Sequence, residues 1–162
     1  MRAPSGKKPV ISGPSSRINA LGITLPAPPT PLGAYVESSD TGNLLFLSGT
    51  LPVVNGKLAV SGRLGDTLSV ERGKEAARIA SLNALAIAKR HLGDLDRLKK
   101  LVKLTVLMVT TEQFSEHAAV GDGASDLFVQ IFGREAGHVR TVYGVYSMPI
   151  GAPVIVETIF EI

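Results

Sequence analysis

The hydrophobic and polar positions of the chain alternate between two periods. Over residues 69–92 the larger apolar side chains Ile79, Leu82, Leu85 and Leu92 mark one stripe among many alanines, a helical pattern that Gly93 is placed to end. Val120, Ala124, Leu127, Phe128 and Ile131 recur at i, i+4, i+7, i+8 and i+11, which predicts a second helix closed by Gly133. Strand-like runs surround these two. Residues 34–38 and 44–48 flank a turn at 40–43, where Gly42 and Asn43 tolerate positive φ, and residues 51–54 and 57–60 flank Asn55-Gly56, the dipeptide of tight hairpins. Residues 101–109 (LVKLTVLMV) are too apolar and β-branched for an exposed edge, so a central strand buried on both faces is expected. Residues 140–147 and 153–161 read as two more strands across a turn at 148–151. Ahead of all of these, Ser16 is placed to cap a short helix through Leu21, stopped by Gly22 and followed by a proline-rich connector over residues 25–31.

The order strands, helix, strand, helix, strand, strand defines an α+β fold: one mixed β-sheet with two helices packed on one face. In residues 140–147 both alternating sets, Val142, Gly144, Tyr146 and Thr141, Tyr143, Val145, are largely apolar or aromatic, as if both faces were shielded. Two substantial helices cannot cover both faces, so further copies of the chain are the expected cover.

Composition narrows the picture. With 162 residues, 44% hydrophobic and 19% charged, the chain is long enough to close a single core unaided. The expected organisation is a flexible basic leader over residues 1–16 and one domain over residues 17–162. The absence of Cys removes disulfides, thiolate metal sites and a cysteine nucleophile, and fits a cytoplasmic location. No apolar run approaches the roughly 18 residues that span a bilayer, and the first 16 residues lack the apolar core of a signal peptide, so no membrane partner is expected. The net charge of +3 sits mostly at the N-terminal end: Arg2, Lys7, Lys8 and Arg17 are four of the 17 basic residues, and no acid precedes Glu37, which leaves 13 bases against 14 acids in residues 18–162. A body of that balance gives little reason to expect nucleic acid as a partner.

The familiar cofactor and catalytic patterns are missing. No phosphate-cradling G-x-x-x-x-G-K-[ST], no dinucleotide G-x-G-x-x-G and no G-x-S-x-G elbow occurs, and His91, His117 and His138 lack metal spacing. No cofactor and no metal are expected. What remains is a set of short motifs in apolar surroundings: G-A-Y at 33–35, L-S-G-T-L-P at 47–52, D-G-A-S at 122–125 and G-H-V-R at 137–140. Each has a plain structural explanation: a strand aromatic at Tyr35, a strand-end turn at Ser48-Gly49, a helix packing contact at Gly123, a snorkelling cation at Arg140. Arg140 is the most informative. A guanidinium at the start of an apolar strand is costly to desolvate unless it meets an anion, no acid lies nearby in sequence, and its fork of donors suits a small carboxylate held bidentately. Tyr35 and Ser48 offer hydroxyls to orient such a ligand. Neither has an activating base close by in sequence, so they read as binders rather than nucleophiles.

In order and spacing the segments G-A-Y-V, G-N-L-L-F-L-S-G-T-L-P, D-G-A-S-D-L-F, G-H-V-R-T-V-Y-G-V, M-P-I-G and V-I-V-E resemble the RidA/YjgF family, the reactive-intermediate deaminases, also described as L-PSP endoribonucleases or translation inhibitors. The resemblance covers residues 21–162 and is closest to a longer subgroup of that family. It implies a chorismate-mutase-like fold assembled as a homotrimer, with clefts between subunits, and hydrolysis of 2-imino acids to 2-oxo acids and ammonia. By the same resemblance Arg140 binds the substrate carboxylate, Tyr35, Ser48 and Asp122 line the substrate site, and the backbone of Val142 contacts the substrate nitrogen. The family glutamate that positions water falls on Ile155, leaving Glu157, two residues on along the same strand face, as the candidate catalytic acid beside Arg140. Asp122 stands where the family pattern has asparagine, a carboxylate that needs neutralising by Arg140 or His138. Imine hydrolysis asks little of a protein beyond holding the carboxylate and admitting one oriented water. Loss of the water-positioning acid equally allows a non-catalytic carboxylate-binding trimer, and RNA cleavage is a third and less supported reading.

Overall fold

The computed structural model describes residues 13–162; most of the leader expected over 1–16 lies outside the described residues. Helix α1 spans Pro14–Ala20, two residues ahead of the Ser16 start expected. Pro14 supplies a preset φ in the first turn, so no side-chain cap is needed, and the Ser15 amide donates to Asp96 Oδ1 at 2.8 Å.

The strand expected at 34–38 is displaced. The chain turns tightly where the Tyr35 amide donates to the Gly33 carbonyl at 3.0 Å, and Val36 is 70% exposed, with no sheet face to pack on. Strand β1 instead covers Ser38–Thr41 and turns at Gly42-Asn43 into β2, Leu44–Thr50. Of the two turn residues only Gly42 takes positive φ. The Asn55-Gly56 signal is borne out, with φ of 51° and 74° between β3 (Val53–Val54) and β4 (Lys57–Leu58), each only two residues long. Asn83 fixes this hairpin to the long helix by donating from Nδ2 to the carbonyls of Leu51 and Val53 at 2.8 and 2.9 Å.

That long helix, α2, runs Val70–Leu92 between Ser69, whose side chain caps the Arg72 amide, and Gly93. Strand β5 (Lys100–Val109), helix α3 (His117–Phe132), strand β6 (Val139–Val145) and strand β7 (Val154–Glu161) complete the fold. The sheet order is β1-β2-β7-β5-β6, all neighbours antiparallel except β5 and β6. One face is covered by α2 and α3: Leu45 and Leu47 of β2, Val154, Val156 and Phe160 of β7, and Leu104, Val106 and Met108 of β5 join Leu85, Leu127 and Phe128 in the core. The helices approach so closely that a Cβ added at Gly123 would lie 2.2 Å from the Lys74 carbonyl oxygen.

The opposite face carries Phe46, Lys103, Thr105, Leu107, Ile155, Glu157 and Ile159, aligned by strand register, and no element of the described chain covers it. β5 is interior to the sheet as expected: Leu104 and Val106 are fully buried on the helix side, and across the strand Thr105 is buried and Leu107 partly buried, with Lys103 exposed. β6 is an edge, ends at Val145, and leaves Tyr143 53% and Tyr146 84% exposed, so the shielding its sequence anticipates is not supplied by the described residues. No helix among the described residues is long and apolar enough to cross a membrane.

Candidate functional site

Arg140 stands opposite Leu104 in the β5–β6 register, which turns it toward the helix-covered side of the sheet. It lies against α3 where Gly121 leaves room: a Cβ there would come within 3.3 Å of Arg140 Nη1 and 2.9 Å of Val142 Cγ1. From Nη1 the guanidinium donates to Asp122 Oδ1 at 2.7 Å and to Ser125 Oγ at 3.0 Å. Asp122 and Ser125 are three apart on α3, and so share a face of the helix. Ser125 Oγ lies a further 3.0 Å from His138 Nε2. His138 lies just ahead of β6, two residues before Arg140, and both reach the same hydroxyl. Burial, and then the Arg140 charge, lower the His138 pKa from its ordinary value.

The acid that sequence spacing did not place beside Arg140 is Asp122, 18 residues earlier and joined to it through the helix–strand contact. The Asp122 side chain is half exposed, so the pair adds at most about 1 kcal/mol to stability. Both contacts use Nη1; Nε and Nη2, the parallel pair that grips a carboxylate side-on, hydrogen-bond to no described residue.

Tyr35 and Ser48 lie elsewhere. Ser48 sits at the bulge of β2 and donates to the Val36 carbonyl at 2.8 Å, while Tyr35 Oη accepts from the Leu32 amide at 3.2 Å. With Leu51, Ile87 and Ile150 they line a cavity of about 120 Å³. Glu37, which also borders it, is ion-paired with Arg90. Gly49 touches the open face, where a Cβ would meet Ile155 Cγ2 at 2.8 Å.

Glu157 is opposite Thr105 on that open face, in a depression shared with Phe46, Lys103 and Ile159. Within one chain Arg140 and Glu157 are therefore on opposite sides of the sheet. Arg140 and Ser48 are parted by β5 and β7, three strand spacings or about 14 Å. Val142 shares the Arg140 side, and the outer edge of β6 that carries its backbone pairs with no described strand. The candidate residues thus form three clusters: one at the β6 edge, one at the β2 bulge, one on the open face. Ser125 and the role of His138 in joining the first cluster escaped the sequence reading, although D-G-A-S and G-H-V-R contain both.

A five-stranded mixed sheet, bare on one face and carrying polar clusters at its edge and bulge, places the molecule among the chorismate-mutase-like α+β proteins. Comparison with known proteins makes this specific. The family model described as "YjgF/chorismate mutase-like, putative endoribonuclease" matches residues 15–162, and the chain belongs to that family. The protein TCP17 of Trypanosoma cruzi is 39% identical over 149 residues, covering 91% of this chain and 93% of its own. The RutC family protein y4sK of Sinorhizobium fredii is 28% identical over 134 residues, with 83% and 91% covered. A crystal structure of a "putative endoribonuclease" from Shewanella oneidensis MR-1 superimposes with a TM-score of 0.88 at 36% identity, spanning 93% of this chain and all of that one. The RidA/YjgF resemblance read from the sequence is thereby borne out.

Proposed function

We propose that this protein hydrolyses small 2-imino acids, or the enamines in equilibrium with them, to 2-oxo acids and ammonia. Arg140 of one copy holds the substrate carboxylate in a cleft completed by a neighbouring copy of a homotrimer. The observation that carries the reading is the state of Arg140: oriented through Nη1 by Asp122 and Ser125, on an edge strand, with the Nε/Nη2 pair unengaged among the described residues. A monodentate lock on one nitrogen holds the planar group in place for a bidentate anion on the other edge. The distance of Tyr35 and Ser48 from Arg140 within one chain supports a site shared between copies, because only another chain brings a β2 bulge to a β6 edge.

The test is to generate 2-iminopropanoate in situ and follow release of ammonia with wild type and Arg140→Ala. Acceleration by wild type, lowered at least tenfold in Arg140→Ala, is the expected result; no acceleration by wild type sinks the enzymatic reading.

Ile155 favours a second reading, a trimer that binds small carboxylates without turning them over. Its side chain, packed beside Gly49, can neither accept a proton nor hold a water. Carboxylate binding without ammonia release would decide for it, and release restored by Ile155→Glu would explain the loss. RNA cleavage, which the names of relatives mention, finds no electrostatic support in a body with 13 bases against 14 acids.

A further inference from the structure

Resting on the reading of Arg140 as the carboxylate anchor, we infer that Asp122 makes the site selective by charge. It admits 2-imino acids whose only charge is the anchored carboxylate and disfavours those that carry a second carboxylate in the side chain.

Asp122 and the substrate share one guanidinium. Asp122 Oδ1 accepts from Nη1 at 2.7 Å, and the Nε/Nη2 edge of the same planar group is left for the ligand. The Arg140–Asp122 pair carries no net charge, so the anchored carboxylate already turns the cluster negative. A second carboxylate on the substrate then finds no uncompensated cation beside it. Ser125 is neutral, and burial together with the Arg140 charge favours neutral His138. Lys100, which borders the depression beside His138, is paired with Glu161 at 3.6 Å.

The other two clusters are balanced in the same way. At the β2 bulge Arg90 is ion-paired with Glu37, and the hydroxyls of Ser48 and Thr50 donate to the carbonyls of Val36 and Val156 at 2.8 and 2.9 Å. Leu32, Leu51, Val53, Ile87 and Ile150 supply apolar wall to that cavity. On the open face Lys103 shares its depression with Glu157. Arg63, at the far end of β6, spends Nη1 and Nη2 on the carbonyls of Thr110 and Tyr146 at 2.6 and 2.9 Å. Whichever of these clusters a neighbouring copy brings to Arg140, the substrate side chain meets apolar surface or a cation that already has its acid.

Charge selects without contact. A ligand held on the same guanidinium as Asp122 lies within one Debye length of it, about 8 Å at physiological ionic strength, so each of its charges feels Asp122 without touching it. The Asp122 side chain is half exposed, and water damps its field. Two like charges about 7 Å apart, at an effective dielectric constant of about 40–80, weaken binding about three- to sevenfold.

The experiment measures by calorimetry the affinity of wild type and Asp122→Asn for three 2-oxo acids: pyruvate, 2-oxopentanoate and 2-oxoglutarate. The last two share a five-carbon chain and differ in the distal carboxylate. Asparagine keeps the oxygen that accepts from Nη1 and removes only the charge. Wild type should prefer 2-oxopentanoate to 2-oxoglutarate, and that preference should shrink about threefold or more in Asp122→Asn. In wild type alone it should also shrink as salt is raised from about 20 to 500 mM, a readout that needs no variant. No preference in wild type, a preference unchanged in Asp122→Asn, or one indifferent to salt overturns this inference while leaving Arg140-dependent pyruvate binding in place. Binding of none of the three acids by wild type overturns it together with the reading on which it rests.

Discussion

Thr158 faces the helices from the middle of β7, opposite Leu104 and Leu47, and its hydroxyl is buried with no hydrogen-bond partner among the described residues. A buried hydroxyl without a partner loses its hydration and gains nothing in return. Thr158→Val keeps the shape and removes the polar atom, so it should stabilise the fold by about 1 kcal/mol, or about 2–4 °C in melting temperature; a lower melting temperature would contradict this. At His138 stability is coupled to proton binding. Its folded-state pKa lies below the ordinary 6.5, so the unfolded chain binds the proton more readily and stability must fall as pH drops through 6.5 toward the folded value. Thermal melts from pH 7.5 to 5 should show this loss, and His138→Gln should lessen it; an equal slope in the variant would place the dependence elsewhere.

At the scale of elements, the α2–α3 contact is the least forgiving part of the fold. The 2.2 Å approach at Gly123 is to backbone, which cannot rotate away. Gly123→Ala should therefore destabilise by about 1–3 kcal/mol or more through forced separation of the helices, read as a lower denaturant midpoint; a neutral result would mean that α3 slides freely. Because α3 carries Asp122 and Ser125, the same change should loosen the hold on Arg140. Elements whose cause is local were legible in the sequence. Ser69 and Gly93 bound α2, Asn55-Gly56 forms its hairpin with two positive φ values, and the apolar stripe of α3 reaches the core. Elements set by distant partners were not. The turn at Gly33–Tyr35 and the Ser48 bond to the Val36 carbonyl redirect residues that alternate like a strand. The Asp122–Arg140 pair, foreseen through the resemblance and not through spacing, forms beside Gly121, where β6 and α3 pack closely. The candidate anchor itself was visible, since a lone arginine opening an apolar strand is a local anomaly.

For the whole molecule, the open sheet face and the β6 edge are unfinished business for a single chain. Phe46, Leu107, Ile155, Ile159 and Tyr143 lie on that face with no partner element among the described residues, although their strands are fixed by register. A homotrimer is the arrangement we propose for them, and light scattering at micromolar concentration should give about three times the 17.0 kDa chain mass. A persistent monomer would leave Arg140 and Ser48 in separate places and remove the shared cleft. The claim on which the rest depends is that the unengaged edge of Arg140 holds a carboxylate. Calorimetric titration of wild type and Arg140→Ala with pyruvate tests it most directly. Saturable binding by wild type, weakened at least tenfold or about 1.4 kcal/mol in Arg140→Ala, is the predicted result; equal affinity in the two proteins, or no binding by wild type, would contradict it.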